Sequence, residues 1–495
     1  MWNQLIQLSF RSKVGLQAQI REMLVAAILD GTLPVGVALP STRVLAGQLG
    51  VARNTVALAY ELLVNEGYLL TKSRRGHFVN PEIVAGRAGP PARARGAAVP
   101  APANWPQRYR GAVSAQRNIV KPRDWQRYPY PFIYGQIDPA QLPMPGWREC
   151  SLQATSASEV RGWAGDLVDG DDALLIEQIQ TRVLVRRGVF VSPDEILVTV
   201  GAQHALFMLG TLLVDARTVV GIENPGYPDA RNIFAARTNS VVPLALDHGG
   251  LALTPALDRC DYVYVTPSHQ CPTNVTMPLA RRQQLLEWAQ SNDRVLIEDD
   301  YEIELGFEGR AQPALQSLDR SGRVIYVSSL SKTLAPGIRI GFIVANRELI
   351  RELRALRRLM LRHPAANNER SVGLFLAMGY HDALLRRLRQ AYADRSQRVA
   401  AALAAQLPDV TFSTVAGASS YWLRFPDHVD TRALAREAAA LGVLIEPGDV
   451  FFDAGAATPV PFNYARLGFA SIDASRIEAG IGALADAFAR VTVTV

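Results

Sequence analysis

Residues 328–342 read SSLSKTLAPGIRIGF, with Lys332 preceded by Ser329 and Ser331 and followed seven residues on by Arg339. A lysine amine condenses with an aldehyde, and hydroxyls beside a guanidinium suit a phosphate. Taken alone, a lysine in a polar turn after a strand is an ordinary surface lysine. The reading therefore rests on what the rest of the chain supplies. The run before the lysine, VIYVSSLSK, is β-rich and ends in polar residues, and the same shape recurs in VLVRRGVF, EILVTVG, TVVGIENPGYP, YVYVTPSH and RVLIEDDY. Helical stretches lie between several of them. This alternation predicts an α/β architecture with a mostly parallel sheet from about residue 128 to 495. In such sheets ligands gather at the carboxyl ends of strands, where the residues of interest sit.

An aldehyde that carries a phosphate points to pyridoxal 5′-phosphate, and each further demand of that group can be put to the sequence. Its pyridine nitrogen needs a carboxylate; IEDDY (297–301) offers Asp299, with Asp300 as a rival. Its O3′ oxygen needs a donor, and Tyr301 follows two residues on. Its ring face needs an aromatic partner, and ENPGYP (223–228) offers Tyr227 in a Pro/Gly loop. Its phosphate benefits from backbone N–H groups at a helix start; VTVGAQHAL (198–206) puts Gly201, Ala202 and Gln203 there. Each has a plain structural counterpart, Asp299 as a turn former and Tyr227 as a core aromatic. All of them in this order are hard to obtain by chance.

Working outward, 495 residues suit two or three domains. A hydrophobic content of 48% and a charged content of 20% are those of a globular chain with a real core. Cys150, Cys260 and Cys271 are far apart and odd in number, which argues against a disulfide framework or structural zinc and fits a reducing cytoplasm. The start, MWNQLIQLSFRSK, lacks the order of a signal peptide, and no apolar run approaches the length of a membrane span. Residues 1–80 carry a net +4 and residues 81–131 a net +7, leaving −5 for the remainder. A basic front half is either a solvated face or a polyanion-binding one.

Residues 1–80 read as a compact unit. Leu16, Ile20, Leu24 and Ile28 recur every four residues, as in an amphipathic helix. Ser41 can cap a short second helix that stops at Gly50. A third fits Arg53 to Glu66, and YLLT and HFVN read as two strands around a basic tip, Lys72-Ser73-Arg74-Arg75-Gly76. Three helices and a two-stranded wing make a winged helix-turn-helix. Residues 81–127, rich in Ala, Pro, Gly and Arg without apolar period, read as a linker.

The stretch from about 128 to the end resembles the fold-type I aminotransferases. The whole chain resembles the MocR/GabR group of bacterial regulators, in which a GntR-type winged helix is joined to an aminotransferase-like domain. The motifs that carry this are LPSTRVLAGQLGVARNTVALAYELLVNEGYL in the first unit, then TVGAQ, ENPGYPDARNIF, TPSHQCPT, IEDDY, SLSKTLAPGIRIGF and ARLGF in order. The resemblance implies pyridoxal 5′-phosphate as cofactor, held in an internal aldimine on Lys332, and a head-to-tail homodimer. It sets Asp299 against the pyridine nitrogen, Tyr301 against O3′ and Tyr227 against the ring. Ser329, Ser331, Arg339 and the amides of Ala202 and Gln203 would meet the phosphate. Arg466, in RLGF, would hold an effector carboxylate bidentately; the other reading is a structural salt bridge.

On the DNA side the resemblance implies contacts from Arg43, which starts the second helix, and from Arg53, Asn54 and Thr55, which open the recognition helix. Arg53 is placed to read guanine. Lys72, Arg74 and Arg75 sit on the wing tip, with Gly76 permitting its tight turn.

The chain also departs from the family pattern. Cys271-Pro272-Thr273-Asn274 stands for Phe-Pro-Thr-Gly, GASS (417–420) for a Gly-Gly-aliphatic-His motif, and WAGDLVDGDD (163–172) for a Tyr-Gly-Asp-Pro-x-Gly loop. The last two are expected to border the ligand pocket. Ala52 replaces a capping serine, a change worth about 1 kcal/mol. The expected function is a cytoplasmic, DNA-binding regulator that senses a small amino compound by aldimine exchange at Lys332. The alternative is a working aminotransferase whose winged helix is autoregulatory; a remoter one has the cofactor itself as the signal.

Overall fold

The protein is described from a computed structural model covering residues 6, 8–10, 14–83, 103–109, 111, 113–302, 312–412, 417–453, 455 and 459–493. It divides into two compact units, Met1–Tyr109 and Arg110–Val495. Among the described residues no helix is long and apolar enough to cross a membrane.

In the first unit α1 (Leu16–Leu29), α2 (Thr42–Leu49) and α3 (Arg53–Asn65) precede a hairpin of β1 (Leu69–Lys72) and β2 (Gly76–Val79). Ile20, Leu24 and Ile28 from α1 meet Leu45 from α2 and Val56, Tyr60 and Leu63 from α3 in one buried core. The four-residue spacing thus does what an amphipathic stripe must. Ser41 accepts a hydrogen bond from the Val44 N–H at 3.3 Å, and Gly50 closes α2 in a left-handed conformation, φ 67°. α3 follows Ala52 with no side-chain cap. Lys72 and Gly76 lie opposite each other across the hairpin. Its tip holds two left-handed residues, Gly76 (φ 92°) and Arg74 (φ 59°).

In the second unit a short β3 (Tyr130–Pro131) precedes the main sheet, whose strands are β4 (Ile196–Thr199), β5 (Val220–Asn224), β6 (Val241–Asp247), β7 (Gly250–Leu251), β8 (Tyr262–Val265), β9 (Val295–Asp299), β10 (Val324–Ser329) and β11 (Gly341–Val344). They lie in the order β4-β11-β10-β9-β8-β5-β6-β7. β10, β9, β8, β5 and β6 run parallel, and β11 is antiparallel to both its neighbours. The central strands are buried residue after residue, as a sheet covered on both faces requires. α4 (Gly201–Leu213) and α7 (Arg347–Leu361) cover one face, packing Leu206, Leu209 and Leu353 on Ile297, Ile325 and Ile343. Against the other face α6 (Leu279–Ser291) packs Leu285 and Ala289 on Val263 and Leu296. Between them in the chain, α5 (Pro228–Ala235) follows β5.

A second, antiparallel sheet joins β12 (Thr411–Phe412), β13 (Ser420–Arg424), β16 (Tyr464–Gly468) and β15 (Glu446–Pro447), while β14 (Val443–Leu444) pairs with β3. Arg466 lies opposite Trp422 on one side and Glu446 on the other.

Among the runs read as strands, one differs from the structure. VLVRRGVF (183–190) is not a strand: residues Ile179–Arg187 are helical, ending at Gly188 with φ 71°. Ile176, Ile179, Val183 and Leu184 are buried at three-to-four-residue spacing, so helical periodicity overrides the β propensity of the valines. Part of the stretch read as linker, residues 110–127, belongs to the second unit. Arg117 donates to the Asp449 carbonyl at 2.7 Å, and Asn232 donates to the Arg117 carbonyl at 2.9 Å.

Candidate functional site

The parallel strands deliver the chemistry at their carboxyl ends. β4 leads through Val200 into α4, whose start carries no side-chain cap. Gly201 there has φ 78°, and a Cβ on it would stand 2.7 Å from the Arg339 guanidinium. The positive φ favours glycine there, and a side chain would have to displace the Arg339 guanidinium. Arg339 Nη2 donates to the Val200 carbonyl at 2.8 Å, which lays the cation against the helix start beside Ala202 and Gln203. Uncapped first-turn N–H groups with a guanidinium form an anion site.

β9 ends at Asp299, which is 4% exposed. Its Oδ2 accepts from the Tyr264 hydroxyl at 2.7 Å, and its Oδ1 is buried with no hydrogen-bond partner. Burial pushes this carboxyl up to about 7. Its rival Asp300 is committed elsewhere: it accepts from Arg187 Nε at 2.7 Å and from the Tyr326 hydroxyl at 2.9 Å. Burial acts to raise the Asp300 carboxyl, but Arg187 holds it below the usual range. Neighbours in an extended segment point to opposite sides, so one aspartate faces the cavity and the other the core.

Tyr227, just before α5, donates its hydroxyl to Asp229 Oδ2 at 2.9 Å. Tyr301 meets the Tyr134 ring edge-on, centroids 6.4 Å apart. Past the end of β10, Lys332 Nζ lies 4.1 Å from the Tyr134 ring centroid. A Cβ on Gly135 would stand 2.5 Å from that nitrogen. Burial, and after it the nearby Lys121, push the Lys332 ammonium down to about 8.

Arg466 is 3% exposed. Its Nε donates to Glu446 Oε2 at 2.7 Å, and its guanidinium lies 4.1 Å from the Tyr134 centroid. The two readings of this arginine are compatible: it is in a buried ion pair, and it lines the cavity. Ser329, Ser331, Lys332, Arg339, Ala202, Gln203, Asp299, Tyr301, Tyr227 and Arg466 all line one cavity of about 490 Å³. An amine of lowered basicity, an unpartnered carboxylate oxygen, aromatic rings and an anion cradle converge there.

Several lining residues lie outside the sequence reading. Tyr134 carries no motif. Lys121 and Asn118 sit in the Ala/Pro/Arg-rich stretch, whose composition hides them. Tyr264 reads as one more apolar residue of a strand, although its position beside the Asp299 strand is a signal. The expected borders differ too. Neither GASS nor WAGDLVDGDD lines this cavity. Asp171 is tied by ion pairs to Arg354 and Arg357 of α7, which turns that loop toward the helix. In CPTN, Asn274 takes the left-handed conformation (φ 62°) that glycine would adopt, and its side chain donates to the Ser420 carbonyl at 2.7 Å. Two departures from the family pattern therefore touch each other. Asparagine is among the few residues that tolerate that conformation.

On the first unit Arg43, Arg53 and Asn54 are exposed at the starts of α2 and α3, and Thr55 is half-buried. Arg53 Nε donates to Thr42 Oγ1 at 3.5 Å, joining the two helix starts. Lys72, Arg74, Arg75 and Gly76 are exposed on the wing tip, with Lys72 Nζ 4.7 Å from the Phe78 ring centroid. Cations on a helix start and a wing suit phosphates and base edges.

Comparison with known proteins agrees with this division. Residues 16–79 match the family "Bacterial regulatory proteins, gntR family", and residues 172–484 match "Aminotransferase class I and II". The chain is 40% identical to the HTH-type transcriptional regulator TauR of Rhodobacter capsulatus, covering 96% of each chain. It is 31% identical to the probable rhizopine catabolism regulatory protein MocR of Rhizobium meliloti, over 96% of this chain and 94% of that one. Among solved structures, the α-aminoadipate aminotransferase LysN of Thermus thermophilus, complexed with N-(5′-phosphopyridoxyl)-L-leucine, superposes with a TM-score of 0.71. The identity is 26%, over 79% of this chain and all of that one.

Proposed function

We propose, because the chain belongs to the MocR-type family of regulators that join a gntR-family winged helix to an aminotransferase-like domain, that it binds pyridoxal 5′-phosphate at Lys332 and senses a small amino compound there. The chain is a DNA-binding transcription regulator. The observation that carries the cofactor reading is convergence: ten residues chosen from the sequence line one cavity. Asp299 Oδ1 adds a physical fit. A buried carboxylate oxygen without a partner is costly, and a protonated ring nitrogen would satisfy it. The phosphopyridoxyl group named for the aminotransferase LysN supports the same assignment.

When bound, pyridoxal 5′-phosphate supplies an electrophilic carbon at which one amine can replace another. The residues of the chain divide the remaining work. Lys332 provides the resident amine, and its lowered basicity keeps more of it neutral and nucleophilic. Asp299 holds the ring-nitrogen proton, Tyr301 donates to O3′ and Tyr227 packs on the ring. Ser329, Ser331, Arg339 and the N–H groups of Ala202 and Gln203 hold the phosphate. Arg466 takes the anionic end of the effector. In this proposal two chains form a head-to-tail homodimer, and their winged helices read a repeated operator through Arg53 and its neighbours. The effector changes DNA binding to the extent that it prefers one arrangement of the dimer.

The first test is the absorbance spectrum of the purified protein with added cofactor, beside Lys332→Ala. A band near about 420 nm that the variant lacks is the expected result; no band in the parent protein overturns the cofactor reading. A gel shift on the chain's own upstream DNA, altered by the effector, tests the sensing step. The retained Lys332 amine also supports a second reading, transamination. A half-reaction in which an amino donor converts the bound cofactor once to its pyridoxamine form, with release of the matching oxo acid, would favour it.

A further inference from the structure

We infer, resting on the cofactor reading above, that Glu302 receives the Lys332 amine, as an ammonium, when another amine takes its place on the cofactor. Glu302 follows the cavity residue Tyr301 in the chain and is 2% exposed. Its Oε1 accepts from the Ser419 hydroxyl, and its Oε2 is buried with no hydrogen-bond partner. Ser419 lies in GASS, one of the departures from the family pattern, and its carbonyl accepts from the Phe469 N–H at 3.0 Å. One oxygen of the carboxylate is thus held and the other left open. A buried carboxylate oxygen without a partner is costly, so the open one suits a cation that arrives.

The charges around Lys332 favour it as that cation. Lys121 and Arg466 are both paired with Glu446. Lys332 instead rests its Nζ on the Tyr134 ring, 4.1 Å from the centroid. Glu302 is the charge that acts most strongly on the Tyr134 phenol, after burial itself, and the Tyr134 hydroxyl is also buried without a partner. Burial and then Lys121 push the Lys332 ammonium down; Glu302 opposes them, Arg466 adds to them and Glu446 opposes them less than Glu302 does. Asp299 and Cys271 stand close enough to Lys332 to feel its charge. The phenols that feel Glu302 are those of Tyr134, Tyr301 and Tyr392. Burial, the first cause in each, raises all three, so they stay neutral.

In the exchange Lys332 gives up its double bond to the cofactor carbon as the incoming amine forms one, and two hydrogens of that amine end on Lys332 Nζ. A third proton, brought by the incoming ammonium, makes Lys332 an ammonium in turn. Nothing is oxidised or reduced. Glu302 stabilises the charged product and so favours displacement, at the cost of slower capture of free cofactor by a Lys332 that is more often protonated.

The test uses the full-length protein as wild type, Glu302→Gln and Glu302→Asp, with pyridoxal 5′-phosphate and propylamine as probes. Glutamine keeps the shape and an acceptor for Ser419 but removes the charge. Capture of added cofactor, followed by absorbance from about pH 6 to about pH 10, reads the Lys332 titration. Its half-point, about 8 in the wild type, should fall by about 1 unit in Glu302→Gln, which makes capture about fivefold faster at about pH 7. Displacement by propylamine, titrated on the cofactor-loaded protein, should move the other way. It should be about fivefold weaker at about pH 7 and equal to the wild type by about pH 10, where neither chain protonates Lys332. Glu302→Asp should shift both in the same directions and by less. A purely structural defect would instead slow capture and weaken displacement together at every pH, and that result overturns the inference. So does a Glu302→Gln chain with the half-point and displacement of the wild type. If Glu302→Gln does not fold by circular dichroism, a folded Glu302→Asp with neither shift overturns it. A wild type without the absorbance band strikes the cofactor reading instead.

Discussion

On the winged helix, Arg53, Asn54 and Thr55 are consecutive in sequence and lie at or near the surface. In the second unit Lys121, Asp299, Lys332 and Arg466 come from four distant stretches and meet around one cavity. The first arrangement is specified by a helix start alone, in contact with water, where each side chain acts nearly independently. The second depends on strand order, on Gly135 and Gly201 leaving room, and on burial that strengthens every charge. The contrast teaches where a substitution stays local and where it spreads.

Four substitutions and one titration can sharpen or break that contrast. Lys332→Ala should remove the cofactor band altogether while leaving the fold intact by circular dichroism. Arg187→Met should cost about 3–5 kcal/mol in denaturant unfolding, because it leaves Asp300 charged and buried without its partner; the two side chains are 2% and 0% exposed. A cost below about 1 kcal/mol would break the contrast. Arg53→Ala should weaken operator binding by about 1–3 kcal/mol in a fluorescence titration, with the absorbance band unaltered.

The titration comes next in size. Lys332 is pushed down to about 8, and only its neutral form captures an aldehyde. Capture should therefore rise about tenfold from about pH 7 to about pH 9 and then level off, followed by stopped-flow absorbance. An exposed lysine, with a pKa near about 10.4, would keep rising past about pH 10. The smallest effect is Ala52→Ser. Ala52 has extended dihedrals (φ −65°, ψ 141°) that suit a cap, so the serine should stabilise the first unit by about 1 kcal/mol in thermal unfolding.

Much of this was legible in the sequence because the relevant signals are local. Ser41 and Gly50 mark both ends of α2, and the pattern Leu16-Ile20-Leu24-Ile28 marks the buried face of α1. The strand ends that carry Tyr227, Asp299 and Lys332 are short apolar runs closed by polar residues. Reading failed where tertiary packing overrode local preference. VLVRRGVF has the valines of a strand but buries Val183 and Leu184 on a helical face. Lys121 lies in a stretch whose Ala, Pro and Arg content predicts no partner at all, and its partner Glu446 is 325 positions away in the numbering.

By itself the sequence determined the two-unit division, the winged helix, the α/β alternation and the candidate cofactor residues, since each depends on the order of neighbours along the chain. Only the tertiary structure set Asp299 at the cavity and Asp300 against Arg187, showed that Arg466 is both paired and lining the cavity, and brought Lys121 beside Lys332. The reason is the same in each case. Burial, counter-charge and approach distance are set by residues hundreds of positions apart, and no local pattern encodes which of them will meet.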